Sequence, residues 1–381
     1  MNDTNSSDWN PRSDAVQRDP LGAYDRLRET CAIAYSDLLG WSLFRYDDVL
    51  HVLHNPAVFS NEVSRHIAVP SGMDPPRHTI YRRLIEPYFS QARMTAFEPI
   101  CSAVAGELLQ SVRGGRTVEC VDRLATHFAV RSQCAFLNWP RSMHEVLRTW
   151  MRENHAAVCA EDRAKLGLLA GEFGEVVRAL LHERSGSAND ITGELMRERV
   201  QGRPLQEDEL VSILRNWTAG EVGTLSAAVG ILIRYLAVNP DLQDCLRKEP
   251  DRLPYAIDEV LRIEGPLVSN RRVTTRPVEF HGRRIEKGQR ITIVWPAANR
   301  DGRAFEEPTS FRWDRDQLRN LLYGSGIHAC PGAPLARLEL RLLLEQLLAA
   351  TDRFEPAGDP PQPATFPIGG YASVIVSVTW R

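Results

Sequence analysis

Apolar residues recur at three- and four-residue steps along most of the chain, the spacing of helix faces turned toward a core. Met94, Phe97, Cys101, Val104 and Leu108 follow that spacing and predict one buried helix. It runs again from Glu207 to Asn239, enough for a helix of about 30 residues and roughly 45 Å. Asn239-Pro240 should stop it, because a residue before proline avoids the helical region. Leu335, Leu338, Leu342, Leu343 and Leu347 mark another amphipathic helix. Strand signals are fewer and clustered: Trp41 to Tyr46, Val273 to Phe280, Ile291 to Val294, and Ala372 to Trp380. Because these runs do not alternate with helices, the pattern predicts a mainly α fold with a minor β part. A doubly wound parallel sheet is disfavoured.

No repeat, low-complexity tract or long Gly/Ser/Pro linker divides the 381 residues, so one domain over 16–381 is expected. Residues 1–15 read as a disordered polar lead-in without the apolar segment of a signal peptide or membrane anchor. With 43% apolar and 25% charged residues the composition is that of an ordinary globular protein. A formal charge of −3 gives no basic excess for nucleic acid. The longest apolar stretch, Ala219 to Val238, is interrupted by Glu221 and Arg234, which argues against a membrane span. Seven cysteines, an odd number without a CxxC pair, suit free thiols in a reducing cytoplasm and disfavour disulfides or a zinc ribbon.

The densest chemistry lies between Tyr323 and Leu348, where Gly324, Gly326 and Gly332 bracket Cys330 just ahead of the leucine-rich helix. Glycines allow tight turns and close approach to something bulky. A cysteine entering a helix N-terminus has its thiolate favoured by the dipole and free N–H groups, which suits a ligand. Other readings stay open at this point. Gly324 to Ala329 also matches a GxGxxG/A dinucleotide fingerprint, though without a convincing preceding strand. His328 and Cys330 could be two members of an incomplete metal set, or Cys330 could be inert.

The segment resembles the haem-binding loop of the cytochrome P450 family, F-G-x-G-x-H-x-C-x-G. Tyr323 stands in the Phe place, and Gly324, Gly326, His328, Cys330 and Gly332 match; A-P-L-A-R-L-E-L follows as in bacterial members. The resemblance implies a P450 fold, a single domain around a buried haem b, with Cys330 as axial ligand of the iron. Glu259 and Arg262 match the family's E-x-x-R, implying a structural ion pair; the further arginine's place holds Ser310, with Arg312 as a substitute. His78 and Arg82 lie one turn apart and, with Arg272 and His328, fall where the family holds the haem propionates. In the family's [AG]-G-x-[DE]-T, whose acid and alcohol supply protons for dioxygen activation, the threonine is Thr224. Gly223 occupies the acid place, leaving Glu221 as a replacement carboxylate.

The resemblance further implies a soluble bacterial-type monooxygenase that hydroxylates or otherwise oxidises a small organic substrate with dioxygen. Electrons would come from a separate ferredoxin and an NAD(P)H-dependent reductase, docking on Arg77, Arg83, Arg337 and Arg341. By the same analogy the pocket is lined by Asn61 to Met73, which carries Arg65 and His66. His155 to Glu183, Trp217 and Ala219, Pro266 to Asn270, and Ile368 to Tyr371 complete it. Two alternatives are a peroxide-driven or atypical oxidation, motivated by Gly223, and a non-catalytic haem-binding sensor or carrier.

Overall fold

The computed structural model describes residues 7–64, 66–184 and 189–381; Arg65 and the first six residues of the expected lead-in lie outside them. The helices that build and flank the site are α1 (Pro20–Thr30), α2 (Arg77–Ile85), α3 (Gln91–Val112), α4 (His127–Phe136), α5 (Glu207–Val238), α6 (Leu253–Glu264) and α7 (Ala333–Ala350). The expected apolar period of α3 is the one that buries, through Met94, Phe97, Cys101 and Leu108. α5 opens with a reciprocal cap between Gln206 and Glu209 and ends at Val238, where Asn239 leaves the helical region ahead of Pro240. Among the described residues it alone has the length and hydropathy of a membrane span, and 61% of that window is buried in the protein. Its apolarity follows from its place in the core, where most of its side chains are buried.

Five strands, β1 (Ile33–Ser36), β2 (Gly40–Leu43), β3 (Phe59–Ser60), β5 (Ser269–Thr274) and β6 (Arg290–Val294), form one sheet in the order β1-β2-β6-β5-β3. β6 runs parallel to β2 and antiparallel to β5, with Ile291 opposite Arg272. A second sheet joins β4 (Thr117–Glu119), β7 (Thr351–Pro356) and β8 (Ile375–Trp380). The architecture is therefore mainly α with a small mixed β part, as the periodicity predicts. Three expected strands are trimmed, the last of them to Ile375–Trp380. The run from Val273 to Phe280 is broken by a turn at 275–277, and the first strand stops at Leu43 because Tyr46 begins a helix.

The expectation of disorder over residues 1–15 is corrected for its later part. Trp9 is buried edge-on against Tyr24 at 6.4 Å and Phe44 at 5.5 Å, and the Asp8 N–H donates to the Tyr35 carbonyl at 2.8 Å. A polar run carrying one large aromatic ring thus anchors through that ring.

Candidate functional site

The segment leading into α7 makes two left-handed turns, at Gly324 and Gly326, both with φ +71. A Cβ on Gly326 would lie 2.7 Å from the Leu53 carbonyl oxygen, so only glycine fits there. Gly332 is different: its φ is −80, and a Cβ would meet nothing closer than Glu221 Oε2 at 3.7 Å. Such a Cβ would also lie 3.8 Å from Cys330 Sγ and from Phe89, and the nearness of Glu221 brings the middle of α5 close to the cysteine loop.

Cys330 donates its N–H to the Tyr323 carbonyl at 2.8 Å, and its side chain is reachable by solvent although deep among surrounding groups. Burial, with the nearby Glu221, pushes the thiol up to about 11, outweighing the N–H groups of Gly332 and Ala333. The N–H groups of Gly332 and Ala333 favour the anion, as the start of a helix should, while burial and Glu221 oppose them; a cation bound to the sulfur tips the balance toward the thiolate.

Three separate segments bring four basic side chains together. His78 and Arg82 come from α2, Arg272 from β5, and His328 from the cysteine loop. The two imidazoles lie with centroids 4.2 Å apart, and His78 Nδ1 and His328 Nε2 are buried without partners. Burial, followed by His78, Arg272 and Arg82, lowers His328 to about 3; burial and then Arg82 lower His78. Arg272 is buried, is pulled down to about 10 by that burial, and among the described residues donates only to the Arg271 carbonyl at 2.8 Å. Arg82 is already committed to Glu86 at 2.7 Å and the Ala329 carbonyl at 2.6 Å. Buried nitrogens lacking acceptors beside a buried guanidinium are unfavourable alone. They fit a ligand bearing carboxylates.

Facing this region, α5 exposes Ala219, Gly220 and Gly223 between buried Thr218, Val222 and Leu225. No atom lies within 4 Å of a Cβ built on Gly220 or Gly223. The centre of a buried helix thus has one open, small-residue face. Thr224 Oγ1 donates back to the Gly220 carbonyl at 2.7 Å and the Glu221 carbonyl at 3.3 Å, the ordinary habit of a helical hydroxyl. The Glu221 side chain is hydrogen-bonded to Glu339.

Glu259 and Arg262 are both wholly buried and pair through two bonds, at 2.8 and 2.9 Å. Arg312 is not the third member. Its side chain binds Glu306 and Asp314, whereas Arg315 Nε reaches Glu259 Oε1 at 2.7 Å. The turns between Ser310 and Arg315 reset a spacing that linear counting assumes. Arg337 and Arg341, expected on a docking face, are committed to Asp258 and to Glu98 and Glu345; Arg77 and Arg83 remain exposed on α2. Val268 and Ile368 to Tyr371, expected to line a substrate pocket, border a cavity of about 160 Å³ whose other wall is Arg18 to Leu21 and Tyr24.

Residues 85–369 match the family model described as cytochrome P450. The chain belongs to the cytochrome P450 family. It is 31% identical to the cyclomarin C epoxidase CymV of Salinispora arenicola over 84% of this chain and 85% of that protein. To cytochrome P450 109 of Bacillus spizizenii it is 29% identical, over 89% and 86% of the two chains. The structure of cytochrome P450 CYP109Q5 from Chondromyces apiculatus superposes with a TM-score of 0.86 at 26% identity, covering 97% of this chain and 98% of that one. As a cytochrome P450 the chain is a haem-thiolate monooxygenase, acting with dioxygen on an organic substrate.

Two features of this P450 escaped the linear reading, Arg315 and the partner of Glu221. Glu339 did carry a signal, since it lies on the apolar face of α7 with Leu335, Leu342 and Leu343. An acid at helical spacing among buried leucines marks a partner elsewhere in the core.

Proposed function

We propose that this P450 binds haem b with Cys330 as the axial ligand and His78, Arg82, Arg272 and His328 as the propionate donors. Its turnover would oxidise a small organic molecule with electrons from a separate ferredoxin and reductase. The observation that carries this reading is the pair of buried imidazole nitrogens, on His78 and His328, that lack a partner among the described residues and lie beside buried Arg272; His328 is on the same loop as Cys330. When bound, the haem supplies the one-electron and dioxygen chemistry, with the thiolate lending electron density.

The chain's own work is binding, orientation and proton handling. Cys330 gives up its proton on ligation, because metal binding replaces the proton that burial otherwise retains. His78 Nδ1, His328 Nε2 and Arg272 donate to two carboxylates, which removes the cost of leaving them unpaired. Glu259, Arg262 and Arg315 fix α6 to the segment that leads into the cysteine loop. Small residues at Ala219, Gly220 and Gly223 leave room for the cofactor and substrate against α5. Thr224 and Glu221 are proposed to handle protons there. For Thr224 this requires its hydroxyl to turn from the Gly220 carbonyl.

Exposed Arg77 and Arg83 support docking of an acidic electron carrier, and seven unpaired thiols support a reducing cytoplasm. The relative named as an epoxidase of cyclomarin C supports a secondary metabolite as substrate. Peroxide-driven turnover is the second reading, favoured by the open space beside Gly223, where no acid stands. Turnover with ferredoxin, reductase and NAD(P)H but none with peroxide would remove it.

The direct test of the ligand is the absorption spectrum of the reduced protein under carbon monoxide. A thiolate-type Soret band is expected, and Cys330→Ala should abolish it. A band that survives the substitution would overturn the assignment.

A further inference from the structure

An unusual polar chain crosses the helical core between α4, α7 and α5. Glu339 is wholly buried, and its Oε1 accepts from Ser132 Oγ at 2.5 Å; Ser132 is itself wholly buried, with Cys101 Sγ at 3.6 Å. Glu221 reaches the same spot from α5 and is hydrogen-bonded to Glu339. Among the described residues Glu221 Oε1 and Glu339 Oε2 are buried without a hydrogen-bond partner, and no cation pairs with either carboxyl. Two ionised carboxylates cannot hydrogen-bond, since neither has a donor. Keeping both ionised here, without a counter-charge, would cost several kcal/mol per ion.

In the family's [AG]-G-x-[DE]-T the glycine place holds Glu221 and the acid place holds Gly223, so the carboxyl is displaced and meets a partner on α7. We infer that Glu221 and Glu339 form one acid–carboxylate pair, fixed by Ser132, in which Glu339 is the positioning residue that holds Glu221 and a shared proton behind the cysteine loop. Burial raises both carboxyls, in keeping with one proton held by the pair. What the pair supplies to turnover rests on the role proposed for Glu221; its existence does not.

Infrared spectroscopy of the haem-loaded full chain tests the pair without reference to activity. A protonated-carboxyl carbonyl band that shifts in D2O is expected. Glu339→Gln and Glu221→Gln should each remove or shift it, and Ser132→Ala should move it to higher frequency by taking away the hydroxyl donor. Each variant should keep the wild-type carbon monoxide spectrum, which shows that the site is assembled. A wild-type protein without a band that responds to Glu339→Gln overturns the pair. Product formed per electron separates the two proposals. A several-fold drop in either single variant, no larger in the double, supports one unit supplying the proton. Expected infrared shifts with unchanged product yield would leave the pair standing and remove Glu221 from proton supply.

Discussion

Gly223 shows how one side chain decides where a proton can come from. An open position on a helix accepts a larger residue without displacing neighbours, and no atom lies within 4 Å of a Cβ at 223. Gly223→Asp should therefore fold, gaining a few tenths of a kcal/mol from helix propensity. It should raise the share of electrons recovered in product, measured as product against NAD(P)H consumed and peroxide released. No change in that ratio would mean that the Glu221–Glu339 pair already meets the demand. Thr224 was legible as a position but not as a bond, because a helical hydroxyl has a carbonyl one turn back within reach whatever else it does. Cys330 was legible from its glycines, whereas the groups that act on its thiol were not. Depth and Glu221 of α5 push the thiol up, and neither appears in the local sequence.

Elements are tied at this site by charges whose value depends on burial. Arg262 is wholly buried and also donates to the carbonyls of Asn299 at 2.6 Å and Pro308 at 2.8 Å, so removing it strands three acceptors. Arg262→Met is expected to cost about 3–5 kcal/mol. Arg315→Met should cost about 1–3 kcal/mol, since Glu259 keeps its other arginine. Arg312→Met, losing only pairs at the surface, should stay within about 0.5 kcal/mol. Urea unfolding of the three variants measures this order directly, and a larger loss at Arg312 than at Arg315 would contradict the observed triad. The E-x-x-R pair was readable because both members share one helix turn. The third arginine was not, because it lies beyond a loop whose turns no periodicity encodes.

Across the whole molecule, the cationic rim links cofactor binding to acid stability. His78 is held neutral below its ordinary value of 6.5 by burial and Arg82. The unfolded chain takes up a proton at this residue as pH falls below about 6.5, while the folded chain does so only at lower pH. Its stabilising contribution is therefore complete above that pH and lost as pH drops toward the depressed folded value. Haem-free protein should lose stability over this acid range more steeply than His78→Gln, as thermal unfolding across pH would measure. Anions placed against His78 oppose the depression, so the difference should shrink in the haem-loaded protein. Equal slopes for the two haem-free proteins would exclude His78 as the source. The sequence by itself determined the mainly helical class, the long central helix, the cysteine loop and the E-x-x-R pair, because each rests on contacts within a few residues or one helical period. Only the tertiary structure decided that His78, Arg272 and His328 converge, that Arg315 completes the triad, that Trp9 anchors the N-terminal stretch, and that Glu221 meets Glu339. Burial and electrostatics act through space, and groups on separate elements have no spacing rule that foretells their contact.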